Sequence, residues 1–521
     1  MSASCLRHTV LPGTSRLFAD FVYRFDNVAR FYRHDPWNAE SYLDAARAIE
    51  FPPERRAALV DALRQFNGDH PLLAELAKPG AVAVVTGQQV GLFTGPCYTV
   101  YKALTAIRLA ERIRSQGVPA VPVFWLATED HDFDEIAHAW NFDNAQRPQK
   151  HRVAKPVLGT PPAGVIPIPA FPLGEFRQSL EGFPFAEEVF ALVSEAYRDG
   201  ATMGGAFVSA LRRLLPVDDL LYIDPMRPEI RALGAPLMRQ AVERAPELME
   251  QLTGRNAELE AAGYHAQVHV EPKTSLFFLL KDGERIALKR EGAAYSGKST
   301  AELAMHAGEL SPNALLRPVI QDFMLPTAAL IGGPAEVAYL AQTEVLYRVL
   351  DRPMPVVVPR AGFTLVDARA AKLMSRYGLA VPDFFHGPEP VRERISTHLV
   401  PVDLRAKLNA VHASTETALA EVRGKVTEFD PTLAKALDKS RTKILYQLSK
   451  IEAKTAREAL RRDTRAEAEA AYLTGLLFPE KHLQERLYTI LPFLARHGFG
   501  LIDAIRENVR LECPDHVVLA I

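Results

Sequence analysis

Four consecutive polar residues, Glu129-Asp130-His131-Asp132, set three carboxylates beside an imidazole directly after an apolar run. Such a cluster offers a carboxylate for a substrate ammonium, a general base for an amine, or ligands for Mg²⁺ brought in by ATP. The plainer alternative is a helix N-cap with solvated loop acids. Zinc is disfavoured, because no second histidine or cysteine stands nearby at ligand spacing. Upstream, Thr86-Gly87-Gln88-Gln89 opens a loop punctuated by Gly87, Gly91 and Gly95 and closed by Thr94-Gly95-Pro96, with Tyr98 and Lys102 just beyond. Several donors beside a glycine-rich turn suit an anionic ligand, while a tight structural turn would use the same glycines. The spacing matches neither Walker A nor GxGxxG. Further on, Ser311-Pro312-Asn313 leads to Arg317, either a buried ion-pair partner or a clamp for phosphate or carboxylate. Gln321-Asp322 follows, and Gly332-Gly333-Pro334 precedes Glu336 at a strand-to-helix turn where exposed helix amides can hold an anion.

These residues need elements to hold them. Ala81–Val85 and Val121–Ala127 read as strands buried on both faces. Between them, Val100, Leu104, Ile107 and Ile113 give a helical period ended by Gly117 and Pro119. This is one strand–loop–helix–strand unit, with its polar residues gathered where the strands end. Ligands of open α/β sheets bind in that place. Residues from about 140 to 180 are rich in proline and imply an insert, followed by a strand at Leu220–Ile223. Asp282-Gly283 marks a hairpin between Thr274–Leu280 and Arg285–Leu288. Sheet-like pattern returns at Phe323–Pro326, at Ala328–Ile331 ahead of a helix over Ala335–Leu346, and at Pro355–Arg360. The expected fold is α/β, a core split by inserts, plus an α-helical antiparallel coiled-coil domain. Two heptad seams carry the coiled coil, Leu404 to Val426 and Leu433 to Thr455, broken at Asp430-Pro431. The divisions are 1–75 (a helical layer rich in aromatics), 76–140 (first half of the core), 141–300 (inserts with the hairpin), 301–385 (second half), 386–475 (the arm) and 476–521 (a segment returning to the core).

At 521 residues the chain exceeds one ordinary core. A net charge of -2 carries no global signature of nucleic-acid binding. Between Pro431 and Arg465, ten Lys or Arg face four acids, which fits a solvated coiled-coil face and leaves RNA contact as the alternative. Cys5, Cys97 and Cys513 are scattered singly and form neither a disulfide framework nor a metal site. With no signal-peptide h-region and no apolar span of about 20 residues, a cytoplasmic protein without membrane partners is expected.

Together these segments resemble the bacillithiol-biosynthesis cysteine-adding enzyme family (BshC). The resemblance is carried by Thr86-Gly87-Gln88-Gln89, Gly91 through Pro96, Tyr98, Tyr101-Lys102, Thr128 through Asp132, Ser311-Pro312-Asn313, Leu316-Arg317-Pro318, Gln321-Asp322 and Gly332-Gly333-Pro334. Their order spans the chain, including the late coiled coil. Cys97 departs from the aliphatic residue expected at its place. The family is similar to class I aminoacyl-tRNA synthetases in having a Rossmann-like core with connecting inserts, which the resemblance implies for the α/β part of this chain. It lacks the HIGH and KMSKS signatures, and both are missing here. The resemblance implies a ligase joining the carboxyl of L-cysteine to the amine of glucosaminyl-malate, and a homodimer formed through the arm. A free carboxylate does not form an amide efficiently without activation. ATP or another nucleotide is therefore expected, giving an adenylate or acyl-phosphate, with Mg²⁺ only as its companion and no metal site of the protein's own. The competing readings are another nucleotide-using amide-forming enzyme on the same fold, and an RNA-binding synthetase paralogue.

Overall fold

The computed structural model describes residues 3–521 except 157, 158, 217, 272 and 293. Its centre is a five-stranded sheet of β1 (Val82–Gln88), β2 (Ala120–Leu126), β3 (Leu221–Ile223), β4 (Thr327–Gly332) and β5 (Val356–Pro359). The strands lie in the order 3-2-1-4-5, and every neighbouring pair is parallel. Side chains alternate between the faces with the strand period of two. Ala83, Val85, Val121, Val123 and Trp125 pack into one core, while Val82, Val84, Ala120, Phe124 and Leu126 face the other side. Helix α1 (Tyr98–Ser115) follows β1 onto the second face, and α3 (Pro334–Val349) follows β4 onto the first. The chain thus winds in opposite directions from β1 and β4, leaving a crevice between their carboxyl ends.

Two local features differ from the sequence-based expectation. Phe323 and Met324 end a helix, α2 (Arg317–Met324), so Gln321 and Asp322 are helical and the strand begins only at Thr327. The Asn313 side chain starts α2 by accepting the N–H groups of Leu315 and Leu316, and Pro318 suits its first turn. The N-terminal layer is not helical throughout. Ala3–Leu6 is a strand antiparallel to His516–Ala520, which also runs parallel to Phe363–Val366.

The hairpin pairs Phe277–Lys281 with Glu284–Ala287. Asp282 and Gly283 form its two-residue turn with φ of 52° and 79°, the signs a type I′ turn requires. Leu310–Pro312 adds a third strand on the other side of Phe277–Lys281, which brings Ser311 and Arg285 to the crevice. The arm consists of α4 (Val402–Phe429) and α5 (Pro431–Arg462). Asp430 caps α5 through the Thr432 N–H (2.8 Å). Ion pairs Arg423–Asp438 and Arg441–Glu416 fix the two helices as antiparallel. No helix among the described residues is long and apolar enough to cross a membrane.

Candidate active site

A cleft of about 490 Å³ opens at the carboxyl ends of β1 and β2, beside the start of α3. Of the sequence-predicted residues it gathers Gly87, Gln88, Gln89, Tyr98, Lys102, Glu129, Asp130, His131, Asn313, Arg317, Gly333 and Glu336. The others do not line it. Thr86 bonds the Ile331 carbonyl across to β4 (3.2 Å). Thr94 faces inward, its N–H donating to the Tyr197 hydroxyl (2.8 Å), and Gly95 takes φ 68° at the turn before Pro96 and α1. Asp132 caps a short helix by accepting the Glu135 N–H (3.2 Å). Gly332 lies within β4, where a Cβ would come within 2.9 Å of the Glu336 Cβ. Gln321 and Asp322 stand behind Arg317. Gln321 accepts from its Nη1 (2.8 Å) and donates to Asp322 (3.1 Å), whose carboxyl is raised to about 6 by burial.

The wall after β2 is acidic. Glu129 is only 5% exposed and accepts a hydrogen bond from Ser311 Oγ (2.9 Å), with Arg231 at 3.9 Å. Burial pushes its carboxyl up despite the neighbouring Arg285 and Arg231 charges. Asp130 accepts from Gln89 Nε2 (3.0 Å) and lies 3.5 Å from Arg285 Nη1. Gln89 also donates to Glu135, whose carboxyl burial raises, with Asp130 and Asp132 adding repulsion. His131 Nδ1 lies 2.9 Å from Arg285 Nη1, and its ring is 5.4 Å from that of Phe278. Burial and the Arg285 charge hold this imidazole below the usual histidine range.

The wall beyond β4 and β5 is basic. Lys102 is nearly sealed and donates to the Gly87 carbonyl (3.0 Å) and Gln88 Oε1 (2.9 Å), with a close ion pair to Glu336. Glu336 in turn accepts the Gly333 N–H (2.7 Å). One lysine from α1 therefore ties the end of β1 to the start of α3 across the crevice. Burial pulls its ammonium down, and Glu336 opposes that pull. Arg360, just past β5, forms a two-pronged buried pair with Glu485 (2.6 and 3.0 Å). Arg317 is held by Gln321 and the Tyr339 hydroxyl (both 2.8 Å). Among the described residues neither Arg317 nor Arg486 has a carboxylate within ion-pair distance, although Glu336 and Glu129 are near enough to act on the Arg317 charge. Three strand spacings separate β2 from β5, on the order of 14 Å.

The sequence reading missed Arg285, Arg360, Arg486, Glu135, Tyr339 and Trp125, all of which line the cleft. Arg360 carried a usable signal, since it follows a buried strand. Arg285 and Arg486 carried none, because only long-range folding brings them here.

The chain matches the family models described as bacillithiol biosynthesis BshC, N-terminal Rossmann-like domain, over residues 1–361, and bacillithiol biosynthesis BshC, C-terminal coiled-coil domain, over residues 363–521. Relatives bearing the name "Putative cysteine ligase BshC" align along all or nearly all of its length. That of Solibacter usitatus is 54% identical, with 100% of both chains covered. That of Koribacter versatilis is 35% identical, again over 100% of both. The Salinibacter ruber protein is 32% identical over 97% of this chain and 96% of its own.

Proposed function

The chain belongs to the BshC family of bacillithiol biosynthesis, and from that premise we propose that it joins the carboxyl of L-cysteine to the amine of glucosaminyl-malate, forming an amide. The observation that carries this reading is the presence of buried carboxylates and uncommitted arginines in one cleft. Glu129, Asp130 and Glu135 follow β2, while Arg317 and Arg486, both without a carboxylate partner among the described residues, line the same cleft. An amine substrate that also bears carboxylates finds complementary charge for both groups in such a cleft.

The attacking amine must be neutral, so a proton has to leave its nitrogen. A carboxyl whose proton affinity is raised toward neutrality is suited to take it, and Glu129 and Glu135 are both shifted in that direction. Arg317 and Arg486 would hold anionic groups of the reactants. The donor set also fits ATP or another nucleotide. Arg317 and Arg486 match phosphate charge, and the cleft lies at the strand-order reversal where α/β sheets bind nucleotides. A bound nucleotide would supply activation of the cysteine carboxyl. Val411, Val422, Leu433, Ile444 and Ile451 stay exposed along the arm, which supports a homodimer formed through α4 and α5, and the chemistry points to a cytoplasmic enzyme.

The test is incubation of purified protein with L-cysteine, glucosaminyl-malate and ATP, with mass spectrometry of the thiol product and of the nucleotide. A cysteinyl amide with stoichiometric AMP or ADP is expected. Turnover of a different amine, with none of glucosaminyl-malate, would transfer the site to another amide-forming reaction.

A further inference from the structure

Arg285 is held beside the acidic wall by all three of its nitrogens. Its Nε donates to Ser311 Oγ (3.1 Å), its Nη2 to the Pro312 carbonyl (3.0 Å), and its Nη1 lies 2.9 Å from His131 Nδ1. The guanidinium carbon sits 3.9 Å from the centre of the Phe278 ring, and 7% of the side chain is exposed. These contacts come from three directions and leave it little freedom to turn.

A guanidinium has donors and no acceptor. The nitrogen facing it must therefore present a lone pair, so in the neutral imidazole the proton sits on Nε2. Burial and the Arg285 charge keep the ring neutral near pH 7, with Lys155 acting the same way and Asp130 and Asp132 opposing. No described residue pairs with Nε2, and His131 lines the cleft. The competing arrangement puts the proton on Nδ1 facing Asp130 Oδ1, now 3.7 Å away. That would set an N–H against the Arg285 guanidinium, which Ser311, Pro312 and Phe278 hold in place.

We propose that Arg285 is a positioning residue that locks His131 as the Nε2–H tautomer, so that His131 donates a hydrogen bond to a reactant oxygen and does not act as the base. Deprotonation of the amine then falls to a carboxylate of the same wall. The identity of the oxygen, on the acyl group or on the anion that activates it, rests on the amide-forming reading above. The tautomer does not.

Two measurements test this on the full chain. In protein labelled with ¹⁵N-histidine, with His131 assigned by comparison with His131→Gln, the free enzyme at pH 7 should show a bare Nδ1 and a protonated Nε2. Arg285→Lys keeps the charge but loses the fork, so it should give a mixture of tautomers. A wild-type signal with Nδ1 protonated overturns the proposal. In the activity arm, His131→Gln retains an N–H donor but cannot carry a proton. It should stay within about tenfold of wild type, while His131→Ala falls by a factor on the order of 10². Equal loss in both variants overturns the donor role. Failure of the wild-type chain to turn over cysteine and glucosaminyl-malate would overturn the amide-forming reading instead, and the tautomer spectrum would still decide the part played by Arg285.

Discussion

Asp130 and Arg317 represent the two charge types of the cleft, and their substitution should produce different kinetic losses. Asp130 receives Gln89 and adjoins Arg285, so Asp130→Asn weakens the wall that faces an ammonium. Turnover should fall by a factor on the order of 10², the scale of acid–base assistance, with the fold retained by circular dichroism. Near-normal turnover would leave the acids as a helix cap and solvated loop. Arg317→Ala removes a cation with no ion-pair partner among the described residues. KM for the anionic reactant should rise about 10- to 100-fold, the worth of one charge-assisted hydrogen bond, with a smaller change in kcat. A change in kcat alone would instead tie Arg317 to the transition state.

Two contacts between elements hold the walls in register. Gly87 is the penultimate residue of β1, where a Cβ would lie 2.8 Å from the Trp125 carbonyl oxygen and 2.9 Å from the Trp125 Cβ. Backbone cannot yield as a flexible side chain can, so Gly87→Ala should destabilise by about 1–3 kcal/mol and lower Tm. An unchanged Tm would show that β1 and β2 can spread apart there. Glu485 secures Arg360 and the Phe363 N–H at the far wall. Burial alone would raise its carboxyl, but Arg360 and His516 hold it at about 2. Its folded value lies below its unfolded one, so the stabilisation is complete above about pH 4.5 and is lost as pH falls toward about 2. Acid titration monitored by tryptophan fluorescence should show Glu485→Gln with a flatter stability profile in that window. Parallel profiles would assign the acid sensitivity to other carboxylates.

At the scale of the molecule, the arm has little interior of its own. Leu408, Val426, Leu437 and Leu448 are partly covered, while Val411, Val422, Leu433, Ile444 and Ile451 stay exposed, with Phe429 85% exposed at the tip. A second copy of the chain would cover that stripe through the same surface on each subunit. Replacing 404–465 with a flexible linker should yield a monomer by sedimentation, less stable than the intact protein. An intact protein that sediments as a monomer at micromolar concentration would assign the arm another role, with RNA contact on its basic face the first to examine.

Much of this architecture is written in local pattern. Apolar runs such as Ala81–Val85, the Asp282-Gly283 turn and the Asp430-Pro431 break report backbone preferences that act over a few residues. They were legible without a fold. The same holds for the polar groups at strand ends, because burial on both faces forces polar residues to the termini. The apolar run Phe323–Pro326 reads as a strand, yet its first two residues end α2, because Asn313 and Pro318 start that helix upstream. The strand order 3-2-1-4-5 was beyond local pattern. So was the choice of which cations are consumed by Glu336 and Glu485 and which remain for a ligand. Arg285 meets His131 across more than a hundred residues of chain, and hydrogen-bond direction, which sets the proton on that imidazole, exists only once the two are brought together. The chain alone named the chemistry it could offer; tertiary packing decided which atoms offer it.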